Sequence, residues 1–193
     1  MDEELLGALA EARALGFLGP GPIKDHMAHA EAFLDLWPSA EEGCAIDVGS
    51  GGGVPGLVLA CRLPQWRWVL LDVNRRRTSF LARAAAAIPG LRGRVDVVRA
   101  PTDDAAVEPT HRMAYDVATA RGFGPPERTA QHAGAFVRVG GVLLVSDPPG
   151  VPDRWPDTLL RPLGLAVDSR RERAPGIVSL RRTDVLGAGF PRH

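Results

Sequence analysis

Several residue types and patterns are scarce in this chain, and each scarcity excludes a class of protein. Among 193 residues the only cysteines are Cys44 and Cys61, which form no C-x-x-C pair and share no zinc-like spacing with histidine. We expect no metal site and two small buried side chains. No apolar run approaches the roughly eighteen residues of a membrane span. The acidic start, Met1 to Glu4, is unlike a signal peptide, so we expect a cytoplasmic protein.

Net charge is absent as well, since 23 Lys and Arg residues balance 23 Asp and Glu residues. This balance argues against a strongly electrostatic nucleic-acid binder. The charges are nevertheless unevenly distributed: residues 1–43 hold nine acids and two bases, and the remainder holds 21 bases and 14 acids. A basic body with an acidic N-terminal segment suits an anionic substrate, and it equally suits a merely polarised surface.

Apolar spacing predicts two helices in residues 1–40, the second over 23–37, and then a regular alternation of strands and helices. Apolar runs predict strands at 44–48, 66–72, 95–98, 115–119, 140–146, 163–169 and 177–180. Helices are predicted at 55–63, 75–88 and 127–137. We therefore expect one α/β domain over 1–193, Rossmann-like and doubly wound, with residues 1–40 as a helical cap. Its sheet should be mostly parallel and seven-stranded, with helices on both faces.

A glycine-rich loop between the first strand and its helix is the motif that carries the chemistry. Residues 47–56 read DVGSGGGVPG, and glycines there let the backbone approach a ligand and adopt positive φ. The spacing Gly51-x-Gly53-x-x-Gly56 also matches a nicotinamide fingerprint. However, Asp47 stands where a pyrophosphate would lie, and a carboxylate suits the ammonium group of an amino-acid-bearing cofactor better. We favour S-adenosylmethionine and keep nicotinamide as an alternative.

Acidic residues follow the second and third predicted strands. Asp72 ends the second strand and can accept both ribose hydroxyls of an adenosine, or cap the next helix together with Asn74. Asp103 and Asp104 follow the third strand, where they can accept the adenine amino group or cap a helix. The carboxyl edge of the predicted sheet thus gathers acids suited to an adenosine.

Three segments resemble the GidB/RsmG family, whose members methylate N7 of a guanine in small-subunit ribosomal RNA. They are the loop at 47–56, the segment 70–81 (LLDVNRRRTSFL) and the segment 119–123 (TARGF). The resemblance covers residues 24–147. It implies a class I methyltransferase fold and a cofactor site that includes Asp47, Gly49, Ser50, Gly51, Gly53, Asp72, Val73, Asp103 and Asp104. It also implies that Arg121 lies beside the transferred methyl group, as the catalytic residue.

The chain departs from this family where the substrate should bind. Asp25 replaces the arginine of an Arg-His pair, and His29-Ala30 replaces an Asp-Ser pair. The segments 146–150 and 173–177 differ from the family's lysine-glycine and Glu-Arg-His patterns, and we read 147–150 (DPPG) as a turn. The expected partner is ribosomal RNA or the small ribosomal subunit. A small-molecule acceptor and a non-catalytic cofactor-binding protein remain alternatives.

Overall fold

The computed structural model describes residues 2–148 and 154–185, so the predicted turn at 147–150 lies partly outside the described residues. Its centre is a seven-stranded sheet in the order β3-β2-β1-β4-β5-β7-β6. The strands are β1 (Gly43–Val48), β2 (Trp66–Asp72), β3 (Val95–Arg99), β4 (Tyr115–Ala120), β5 (Val137–Asp147), β6 (Leu165–Arg171) and β7 (Gly176–Arg182). Strands β1 to β5 pair in parallel, whereas β7 runs antiparallel to both β5 and β6. The sheet is therefore mixed, with five parallel strands and one antiparallel hairpin.

Helices cover both faces of this sheet. They are α1 (Asp2–Ala14), α2 (Ile23–Glu31), α3 (Gly56–Arg62), α4 (Arg75–Ala87), α5 (Thr102–Val107), α6 (Pro126–Arg128) and α7 (Asp157–Leu160). Alternate residues of one strand point to opposite faces, so Ala45 joins one hydrophobic core and Ile46 the other. The first core packs α1 to α4 against the sheet, and the second packs α5 and α7 against its opposite face.

The N-terminal helices pack on the first core, as the apolar spacing predicted. Leu5, Leu9 and Ala12 of α1 are fully buried. The second helix, predicted over 23–37, is shorter than that. The α-helix α2 ends at Glu31, and a 3-10 turn continues from Ala32 to Leu36. In the described part of the chain, no helix has the length and apolar character needed to cross a bilayer.

Two sequence predictions were wrong. The helix expected over 127–137 ends early: after α6 comes a π-helical turn, Thr129–Ala133, and Val137 already begins β5. The apolar residues 135–137 fit either structure, and the β-branched Val137 pairs with Tyr115 of β4. Cys44 is only partly buried, although Cys61 lies in the core as expected.

Candidate functional site

The parallel strands β1, β2, β4 and β5 end at one edge of the sheet, and three neighbouring cavities lie there. All three are lined in part by Gly122, which directly follows β4 and Arg121. The β2–β3 cavity, about 330 Å³, is lined by Gly49, Asp72, Val73, Arg77, Pro101, Thr102, Asp103, Gly122, Phe123 and Arg128. The glycine-loop cavity, about 280 Å³, is lined by Phe17, Leu18, Gly19, residues 49–52, Val54, Arg77, Arg121 and Gly122.

The β4–β5 cavity, about 350 Å³, lies on the other side of Gly122. It is lined by His29, residues 121–124, Thr129, residues 145–148, Arg154, Trp155 and Pro175. Thr129 belongs to the π-helical turn, a local irregularity that is frequent at functional sites. The three cavities therefore form a chain of adjoining spaces along the carboxyl edge, where open α/β sheets bind ligands.

The loop after β1 has the shape that its glycines predicted. Gly49, Gly51 and Gly53 all have positive φ, at 75°, 56° and 87°. A Cβ atom on Gly51 would meet nothing closer than 3.7 Å, so a side chain there would enter the glycine-loop cavity. A Cβ on Gly56 would lie 2.5 Å from Asp47 Oδ2, which makes glycine obligatory at that position.

Asp47 supports this loop from beneath. Its side chain is 1% exposed, and it accepts hydrogen bonds from Thr119 Oγ1 at 2.7 Å and from the Gly56 N–H at 3.1 Å. The Ser50 hydroxyl donates to the Asp47 carbonyl at 2.9 Å. Burial raises the pKa of Asp47 to about 6, although the hydrogen bonds and the Arg121 charge oppose this shift. Asp47 is not among the residues that line the three cavities, so it lies behind the loop.

Asp72 fixes the loop from the neighbouring strand. Its carboxylate accepts the Gly51 N–H at 2.9 Å and the Asn74 N–H at 2.8 Å, and Arg77 Nη1 lies 3.6 Å away. Asn74 alone caps α4, accepting the Arg76 and Arg77 N–H groups at 2.9 and 3.3 Å. Although only 4% exposed, Asp72 lines the β2–β3 cavity. The carboxylate therefore faces that cavity without serving as the helix cap.

The β2–β3 cavity also brings together Val73 and Asp103. Val73 is 64% exposed, a large value for an apolar side chain beside a buried strand end. Asp103 is half-exposed and lies against His132 Nδ1 of the π-helical turn. Neither Asp103 nor Asp104 caps α5, where both lie in the first turn, and Asp104 points to solvent. The lining of the cavity thus includes two carboxylates, from Asp72 and Asp103, and the apolar side chains of Val73 and Phe123.

Arg121 lines both the glycine-loop and the β4–β5 cavities, and a hydrogen bond to His26 fixes its position. Arg121 Nη2 donates to His26 Nδ1 at 3.0 Å, and His26 Nε2 lies 3.1 Å from the Gly19 carbonyl. These partners assign the proton to Nε2, because a carbonyl only accepts and a guanidinium only donates. Burial lowers the pKa of Arg121, and the charge of Asp47 opposes that shift. The guanidinium is therefore oriented before any ligand binds.

A second histidine contributes to the β4–β5 cavity. His29 Nε2 lies 2.7 Å from the hydroxyl of Ser146, which is 117 positions away in the chain. Burial lowers the pKa of His29 to about 4, and the nearby Arg121 charge adds to the effect. Near neutral pH the imidazole is uncharged and available for hydrogen bonding. Asp147 accepts from Arg154 Nη1 at 2.7 Å and from Trp155 Nε1 at 3.1 Å, which closes the far wall.

The structure brings most of the predicted residues to this edge and adds several that sequence reasoning missed. Gly49, Ser50, Gly51, Asp72, Val73, Asp103 and Arg121 line the three cavities, whereas Asp47, Gly53 and Asp104 line none of them. Phe123, His29 and Trp155 were not predicted as site residues. His26 and His29 are three residues apart on α2, and that helical spacing was the available signal for a shared face. In residues 2–148 and 154–185, no group of three His, Cys, Asp or Glu side chains is arranged to hold a metal.

Two solved structures are similar to this chain in fold. The cyclase SpnF has a TM-score of 0.62 at 17% identity, covering 81% of this chain and 80% of its own. A methyltransferase of calicheamicin biosynthesis, solved with SAH, has a TM-score of 0.60 at 20% identity and covers 82% and 54%. Likenesses at this level establish the Rossmann-like fold alone.

Sequence similarity is more specific. The ribosomal RNA small subunit methyltransferase G of Rubrobacter xylanophilus is 36% identical over 138 residues, which are 71% of this chain and 52% of that protein. The chain spans about half the length of the curated relatives it matches. A family model described as rRNA small subunit methyltransferase G matches residues 23–146, from α2 to the end of β5. The chain therefore belongs to the GidB family.

Proposed function

We propose that this chain is an S-adenosylmethionine-dependent methyltransferase that acts on guanine N7 of small-subunit ribosomal RNA in the cytoplasm. The observation that carries the proposal is the row of adjoining cavities, with Asp72 at one side of Gly122 and Arg121 at the other. Family membership supports the same chemistry. A ligand with an adenosine end and a reactive centre suits two neighbouring cavities that meet at a glycine.

The residues present fit this cofactor. Asp72 can accept ribose hydroxyls, exposed Val73 can pack against adenine, and the Asp103 carboxylate can accept the adenine amino group. The glycine loop leaves open space where a side chain would otherwise stand. Bound there, S-adenosylmethionine would supply an electrophilic methyl group on a sulfonium.

The acceptor side needs positioning and charge rather than a base. Guanine N7 has a free lone pair and no proton to lose, so no general base is required. The half-buried Arg121 can orient a guanine through its N7 and O6 edge, because its planar guanidinium donates in a fixed fork. His29, uncharged near neutral pH, can add a hydrogen bond inside the β4–β5 cavity.

One observation favours a small-molecule acceptor as a second candidate. His29, residues 146–148 and Pro175, which lie in segments where this sequence departs from its family, all line the β4–β5 cavity. A cavity with different residues at these positions suits an acceptor other than ribosomal RNA. It also suits a protein that binds the cofactor without transferring its methyl group.

Equilibrium binding of S-adenosylhomocysteine against NAD tests the cofactor assignment. Tighter binding of NAD would overturn it.

Asp72→Ala is expected to weaken S-adenosylmethionine binding by about 2–3 kcal/mol, the scale of hydrogen bonds to a charged group. Isothermal titration calorimetry measures the change. Asn74→Ala is the matched control: it removes the α4 cap and about 1 kcal/mol of stability, and leaves the ribose acceptor in place. Unchanged affinity in a folded Asp72→Ala protein would remove Asp72 from the cofactor site.

Cofactor affinity is expected to rise with pH through the Asp47 pKa of about 6. A cationic ligand near the loop favours the ionised carboxylate, so binding releases the proton that burial retains. Below that pKa the affinity should fall by up to about tenfold per pH unit. Calorimetry over this range measures the effect, and Asp47→Asn should abolish the dependence. A flat profile in the wild-type protein would limit Asp47 to supporting the loop.

A further inference from the structure

A basic groove lies beside the site and is not explained by cofactor binding. It is lined by Leu15, Phe17, Arg75, Arg76, Ser79 and Arg83, and its volume is about 450 Å³. We call these six residues the arginine groove. Phe17 also lines the glycine-loop cavity, which reaches Arg121, so the groove continues into the row of cavities already described.

The groove arginines are poorly neutralised. Within the described part of the chain, Arg75 and Arg76 form no ion pair, and the sequence of α4 contains no acidic residue. Both lie in the first turn of α4, where a positive side chain is disfavoured by the helix dipole. Only Arg83 has an acidic partner, Glu11, at 2.6 Å on the surface. The stability of the fold therefore does not account for this cluster.

The groove is also ordered. The guanidinium of Arg76 lies over the Phe17 ring, 5.8 Å from its centroid. Phe17 packs edge-to-face on the buried Phe80, with centroids 5.9 Å apart, and its N–H donates to the Ala12 carbonyl. Stacking on a fixed ring holds one arginine in place before a ligand arrives, which lowers the entropy lost on binding.

We propose that the arginine groove binds the phosphodiester backbone of a single-stranded RNA whose target base enters the β4–β5 cavity. This inference rests on the proposed function and adds to it a surface for the RNA backbone outside the three cavities. Unpaired guanidinium groups match phosphate oxygens in charge and geometry. Only an extended ligand can occupy both the groove and the β4–β5 cavity, and a small acceptor would leave the groove unused.

The test compares two double variants that lose the same charge. Arg75→Ala with Arg76→Ala removes the two groove arginines that have no acidic partner among the described residues. Arg67→Ala with Arg161→Ala is the control: Arg67 lies near the amino end of β2, at the opposite edge of the sheet, and Arg161 precedes the edge strand β6. All four side chains are exposed, so both proteins should fold, and thermal melting checks this. The probe is a short fluorescein-labelled single-stranded RNA, followed by anisotropy at several salt concentrations.

The groove variant should bind the RNA about tenfold more weakly at low salt, and its slope of log K against log salt should shrink by about 1.4 for two lost phosphate contacts. The control variant should match the wild type in both. Equal binding by the two variants, or no RNA binding by the wild type, would overturn the groove proposal. Wild-type protein that binds RNA through the groove but transfers no methyl group would instead overturn the proposed function alone. If the groove variant has an unchanged KM for the RNA acceptor in methyl transfer, the groove proposal alone would be overturned.

Discussion

Arg121→Ala is expected to lower methyl transfer by on the order of a hundredfold, as when an electrostatic or positioning contact in the transition state is lost. Arg121 follows β4 directly and lines the β4–β5 cavity. Its Nη2 is held 3.0 Å from His26 Nδ1, so the guanidinium is already oriented. Single-turnover kinetics with saturating cofactor measures the change.

Cofactor affinity should stay within about 0.5 kcal/mol in the same variant, since we assign Arg121 to the acceptor. Arg121→Lys serves as the companion variant. A single ammonium cannot reproduce a planar fork, so lysine should restore little activity if the contact is bidentate. Full transfer by both variants would remove Arg121 from the acceptor site. Lost cofactor binding would move it to the cofactor site, where it also borders the glycine loop.

Gly51→Val is expected to abolish cofactor binding while the protein still folds. Gly51 has a φ of 56°, a conformation that a β-branched residue adopts only with strain. The valine side chain would also enter open space in the glycine-loop cavity, which the proposed cofactor needs. Calorimetric titration with S-adenosylhomocysteine measures the loss.

Gly90→Val is the control that separates the effect of backbone strain from obstruction of the cofactor site. Gly90 has a φ of 82° and open space around it, like Gly51, but it follows α4 and lines none of the three cavities. The control should lose stability and keep its affinity for the cofactor. Normal binding by Gly51→Val would show that the loop does not border the ligand. A melting curve for each variant shows whether the protein still folds.

Much of the fold was predictable because the spacing of apolar residues along the sequence follows directly from which side chains are buried. Strand β2 begins and ends where its apolar run predicted, since Trp66, Trp68 and Leu70 are buried on one face of the sheet. The end of the 127–137 helix was not predictable, because its last three residues, Ala135, Phe136 and Val137, suit a helix and a buried strand equally. Only pairing of Val137 with Tyr115 across the sheet decides between them. A single domain over 1–193 stays a prediction.

The residues that we assign to the cofactor could be placed at one sheet edge from the sequence, because many of them cluster along the chain. Asp47 lies near the end of β1 and residues 49–53 form the loop that follows, and a strand–loop–helix order fixes where that loop must lie. The acceptor half draws on distant segments: His29 on α2 meets Ser146 at the end of β5. No local pattern encodes such a meeting, because the sheet order that causes it is a property of the whole fold. Assignment of the individual cofactor residues stays a prediction.

Methyl incorporation tests the central claim most directly. Unmodified small ribosomal subunits, and the RNA extracted from them, are incubated with the protein and S-adenosylmethionine that carries a tritiated methyl group. A metabolite extract is treated in parallel. We expect label in the RNA, and chain cleavage at a guanine after borohydride reduction and aniline treatment, which marks N7 methylation. Label in the metabolite extract alone would contradict the proposed function. So would the absence of label from every sample when the protein demonstrably binds the cofactor.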